Sequence, residues 1–117
     1  MFYVDFEAGN KLYKLRLNTR NIIMLEKNIG CNPLGIFTNA NGTERIPTIT
    51  ECVNVLFASM QQYNHGISLN DAFDIFDQYL EDGNDYTSFI PVILDIYRAS
   101  GIIKSTKDSE EDNSEKN

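Results

Sequence analysis

Few side chains in this 117-residue sequence are of a type that does chemistry, and their spacing does not gather them. His65 is the one histidine, and the two cysteines, Cys31 and Cys52, fall in different segments. A zinc site needs soft ligands at close spacing, and a general base needs a nucleophile beside it. Neither pattern surrounds His65, which follows a helical stretch and is expected to sit favourably at the negative end of its dipole. Cys52 lies among apolar helical positions and reads as a small buried hydrophobe. Asp71, Asp74 and Asp77 form a D-x-x-D-x-x-D run that superficially suggests calcium. The glycine and terminal glutamate of a calcium loop are missing, and these acids lie on a helix. Glu81-Asp82 close that helix and Glu110-Glu111-Asp112 lie in a polar tail, neither of which offers the desolvated pocket that acid–base catalysis needs. No phosphate-binding glycine loop, H-E-x-x-H or G-x-S-x-G occurs. The expectation is a protein that is not an enzyme, with no catalytic, cofactor-binding or metal residues.

Composition sets the class. A chain of this length holds one domain with one modest core, and 42% hydrophobic residues are enough to fold it. No apolar run is long enough to span a bilayer. The N-terminus, M-F-Y-V-D-F-E, carries acids where a secretory signal carries bases, so a cytoplasmic protein without disulfides is expected. N-G-T at Asn41–Thr43 then means only an exposed turn. The net charge of −7 is uneven. Residues 1–47 carry six basic and four acidic side chains, residues 48–103 carry Arg98 against eight acids, and residues 104–117 carry three lysines against five acids. Such a surface repels phosphate backbones, which argues against nucleic acid and suits a basic or mixed protein partner.

The elements follow from periodicity and punctuation. Residues 2–7 and 11–17 alternate with period two, placing Phe2, Val4 and Phe6 on one face and Tyr13, Leu15 and Leu17 on another. Gly9 supplies the turn of a β-hairpin over 2–17. A lone hairpin is marginal in water, so it must pack on helices or on another chain. Asn18 or Thr19 caps a helix whose broad apolar stripe is Ile22, Leu25 and Ile29 with Met24 and Ile23 beside them, ended by Gly30. Asn32-Pro33 opens a second turn whose Leu34, Ile36 and Phe37 tuck inward. Thr48 and Glu51 stand at capping-box spacing ahead of Ile49, Cys52, Val53, Leu56, Met60 and Tyr63. Ser68, with Asp71, caps a helix whose buried stripe is Leu69, Ala72, Phe73, Phe76 and Leu80. Ser88 caps a last helix that keeps Pro91 in its first turn and ends at Gly101. The fold class is α+β, mainly α. A hairpin leads into about four to five helices over 19–103, in a single domain spanning 1–103. Residues 104–117 form a disordered acidic tail.

Two surfaces carry alternative readings. The acids Asp71, Asp74, Asp77 and Glu81 form either a solvated helix face or a docking strip for a Lys/Arg-bearing helix. The last helix is apolar nearly all round, as either a core element or an oligomer seam, with Ile90, Leu94 and Tyr97 as its candidate contacts.

Several motifs in fixed order resemble a known family. The N-terminal hairpin is followed by T-R-N-I-I-M-L-E-K-N-I-G-C-N-P-L-G-I-F, and then by a helix ending N-H-G-I-S. L-N-D-A-F-D-I-F-D-Q-Y-L-E-D-G comes next, then F-I-P-V-I-L-D-I-Y-R-A-S-G-I-I and the acidic tail. Over residues 11–103 this is similar to the tail assembly chaperones of long-tailed phages and prophages of Gram-positive bacteria. The resemblance implies a non-enzymatic protein, without cofactors, in the cytoplasm of the infected or lysogenic host. It implies binding to the tape measure protein, which is kept soluble, and recruitment of tail tube subunits, with no place in the finished virion. A homo-oligomer is expected. The alternative is a head–tail completion or minor tail protein that stays in the particle.

Overall fold

The computed structural model describes residues 2–104. Val4–Ala8 (β1) and Lys11–Leu15 (β2) pair antiparallel, with Phe6 opposite Tyr13 and Ala8 opposite Lys11. Gly9 and Asn10 between them have φ of 59° and 63°, the two positive values of a type I′ hairpin turn. A Cβ at Gly9 would also push aside the flexible end of the Gln78 side chain. Tyr13, Leu15 and Leu17 are buried as their alternation predicts. On β1 the buried pair is Phe6 and Ala8; Phe2 lies beyond the ladder and is 74% exposed.

Thr19–Ile29 (α1) starts where the Asn18 carboxamide oxygen accepts the Asn21 N–H at 2.9 Å. It stops at Gly30, whose φ is 76°. Leu25 is fully buried, Ile22 and Ile29 half so. The Asn32 side chain then accepts from the Leu34 and Gly35 N–H groups and opens a 3₁₀ turn at Pro33–Phe37. Ile36 from this turn enters the core, whereas Leu34 stays outside.

Ile49–Met60 (α2) carries the expected capping box, Thr48 with Glu51. From Cys52 to Met60 only Phe57 is not buried. The reason is position: α1, β2, Leu69–Glu81 (α3) and Phe89–Ala99 (α4) all pack against α2. Ile49 faces outward at the first turn, and Tyr63 lies past the helix end, so both are exposed rather than in the core stripe. A 3₁₀ turn at Tyr86–Ser88, capped by Asp85, leads into α4. Contrary to the expectation from sequence, Ser88 does not cap α4 with its side chain, because its hydroxyl bonds instead to the Asp85 carbonyl and to Tyr79 at 2.6 Å each. Pro91 falls in the first turn of α4, where its missing N–H costs nothing.

One aromatic cluster ties hairpin to helices. The Phe89 ring lies 5.6 Å from Phe6, 5.4 Å from Phe76 and 5.9 Å from Tyr79, all edge-on. The fold is α+β and mainly α: a two-stranded antiparallel hairpin followed, among the described residues, by four α-helices. No helix is long and apolar enough to cross a membrane. Of the expected disordered tail, only Lys104 lies within the described residues.

Candidate functional site

The acidic candidates all lie on α3, but not in one environment. Asp71 is consumed by the cap: its carboxylate accepts the Ser68 N–H at 2.9 Å, and its own N–H donates to the Ser68 hydroxyl at 3.0 Å. Those hydrogen bonds hold its carboxyl below the usual range. Asp71 and Asp74 border an open groove of about 310 Å³ between α3 and β2, facing Lys11 and Tyr13, with Ile75 on its wall. Asp77 and Glu81 are exposed outside that groove. The buried face of α3 is Ala72, Ile75, Phe76 and Tyr79. Phe73, expected in the buried stripe, is 46% exposed beside the acids, and Leu69 and Leu80 are only half-buried. The helix is rotated from that expectation because Tyr79 reaches inward to stack on Phe6 at 5.0 Å and to bond Ser88.

The candidates on α4 divide differently. Tyr97 is fully buried, and its hydroxyl donates to the Pro33 carbonyl at 2.8 Å. It is a core residue, which corrects its assignment as a partner contact; burial also pushes its hydroxyl above the ordinary tyrosine range. Ile90 and Leu94 are half-buried. None of the large exposed apolar side chains is on α4, and its Phe89, Ile93, Ile96 and Tyr97 are buried within its own chain.

His65 is exposed in the turn after α2. It does not close that helix: the Gln61 side chain donates to the Phe57 carbonyl at 3.0 Å, and that of Asn64 donates to the Met60 carbonyl at 3.0 Å. Cys52 is fully buried and its thiol is pushed up to about 12 by that burial, while Cys31 is half-buried; both are free thiols. Among the described residues no three His, Cys, Asp or Glu side chains are grouped to hold a metal ion.

Three features escaped the sequence reading. Arg45 forks onto Glu51 with two bonds of 2.7 Å, welding the loop before α2 to its capping box. The same guanidinium reaches the Gly35 carbonyl at 3.5 Å and so joins that loop to the 3₁₀ turn. Around this junction Leu34, Ile46 and Ile49 are 43%, 57% and 52% exposed. Finally, Arg20, Ile23 and Lys27 are all exposed on α1. Their i, i+3, i+7 spacing was a legible sign of one outward stripe. Neither a curated protein nor a solved structure matches this chain. The profile of a protein family described as a family of unknown function (DUF6096) does match, over residues 4–117. With nearly its whole length matched, the chain belongs to that family.

Proposed function

We propose that this protein is a tail assembly chaperone that binds the tape measure protein, keeps it soluble and helps recruit tail tube subunits. The ordered motifs over residues 11–103 support that reading. The observation that carries it is the group of aliphatic side chains, Leu34, Ile46 and Ile49, left exposed around the rigid Arg45–Glu51 junction. A holder of a long amphipathic helix needs apolar side chains in water on a firm base, because burying them on the client is the main driving force. The acids of α3 and the net charge of −7 keep such a protein soluble while its apolar group is unoccupied.

Co-expression with the tape measure protein tests this. The wild-type chain is expected to hold the client in the soluble fraction and co-purify with it. Ile46→Asp with Ile49→Asp is expected to lose both effects while the protein itself stays folded and soluble. Client that remains soluble with the double variant removes the aliphatic group from the reading. Peptides of this protein found by mass spectrometry in purified virions would replace the chaperone reading with that of a structural tail component.

A further inference from the structure

Two exposed stripes on opposite elements of the chain match each other. On α1, Arg20, Ile23 and Lys27 sit at i, i+3 and i+7, with Ile23 48% exposed between two cations. On α3, Asp74, Asp77 and Glu81 have the same spacing, and Phe73, 46% exposed, flanks them. At 1.5 Å per residue the terminal charges of each stripe are about 10 Å apart along the helix. Each stripe therefore sets an apolar side chain among charges, cationic on α1, where the half-buried Glu26 lies beside the stripe, and anionic on α3.

The partner status of the cations singles out α1. Lys11 and Lys14 lie over the rings of Tyr13 and Tyr3, and Arg16 bonds Gln62. Arg45 and Arg98 are paired with Glu51 and Asp95, and Lys104 is engaged as well. Among the described residues Arg20 and Lys27 are the only cations whose side chains have no partner. The acids of Asp74, Asp77 and Glu81 have none either, as is also true of Asp5, Glu7, Glu26 and Glu44, but only the α3 acids repeat the spacing of the α1 stripe. Helices α1 and α3 both pack on α2, and no ion pair joins their stripes within one chain.

We propose that the α1 stripe of one copy docks on the α3 stripe of a second copy, with Arg20 and Lys27 meeting the carboxylates of Asp74, Asp77 and Glu81 and Ile23 packing on Phe73. The contact joins two different surfaces, so a pair keeps one stripe of each sign free, one on each copy, and head-to-tail association is open-ended rather than closing at a dimer. Its charges are exposed, so it is weak and falls with ionic strength. It does not rest on the proposed client, and its test contains none.

The full chain in sedimentation velocity is expected to grow in size with concentration at low salt and to revert to monomer at about 0.5 M salt. Arg20→Glu with Lys27→Glu gives a chain with two acidic stripes; Asp74→Lys with Glu81→Lys gives one with two basic stripes. Each alone is expected to remain monomeric where the wild type associates, and an equimolar mixture is expected to associate again. Both variants keep a net negative charge, so non-specific attraction does not explain that rescue. Ile23→Ser or Phe73→Ser is expected to weaken association by about tenfold with an unchanged melting curve, which covers the case of a charge variant that fails to fold. A wild type that is monomeric at every concentration overturns the proposal, as do a dimer that grows no further, reversed variants that associate like the wild type, and a mixture that stays monomeric.

Discussion

At the scale of single residues, buried polar groups carry sharp consequences. The Tyr97 hydroxyl is the partner of the Pro33 carbonyl deep under the 3₁₀ turn. Tyr97→Phe removes that hydrogen bond, and an expected loss of about 0.5–1.5 kcal/mol would be read from urea unfolding. Glu51 has its carboxyl held below the usual range, first by the hydrogen bond from Arg45 and then by those from Thr48. A depressed folded pKa gives stability that is complete above the unfolded value, near about 4.3, and is lost as pH falls through the folded value. Asp71, bonded to Ser68, shifts in the same direction. The melting temperature is therefore expected to drop on acidification below about pH 4.5, and Glu51→Gln to flatten that dependence. Residues of this kind were legible where the interaction is local. Asn18, Asn32, Thr48 and Ser68 cap as their spacing announces, because each satisfies N–H groups only two or three residues away. Tyr97 was not legible, since its partner is 64 residues distant and an apolar helix does not say which of its faces is inside.

At the scale of elements, the rotation of α3 shows what periodicity leaves open. Its sequence supports two apolar stripes, one through Phe73 and Leu80 and one through Ile75 and Tyr79. The hairpin chooses between them, because Phe6 and Phe89 offer Tyr79 aromatic edges to pack on. That choice is what leaves Phe73 outside. Phe89→Ala would empty the centre of the cluster that joins β1, α3 and α4, at an expected cost of about 3–5 kcal/mol. Phe73→Ser on the open face of the same helix is expected to stay within about 0.5 kcal/mol of wild type. The two unfolding curves side by side test whether the α3 face is assigned correctly. The apolar last helix was legible as a helix, with its proline in the first turn, but its role as core or seam depended on α2 lying beneath it.

At the scale of the whole molecule, β1 is one edge of a two-stranded sheet, and Asp5 and Glu7 are its exposed positions. Charges on a free edge discourage other strands from adding to it. Asp5→Val with Glu7→Val is expected to leave the fold intact and to bring on salt-insensitive aggregation, seen by light scattering and thioflavin binding. The hairpin as a whole is held from far along the chain. The Gly9 N–H donates to the Asp82 carboxylate at 2.8 Å, and the Leu17 N–H donates to the Ser100 hydroxyl at 2.9 Å. These bonds span 73 and 83 residues, so their loops must close before either forms. A ribosome that has released α2 has already made both strands, yet has made neither Asp82 nor Phe89 nor Ser100. The hairpin is thus synthesised well before the groups that seat it, and until α4 emerges the nascent chain carries it unhoused.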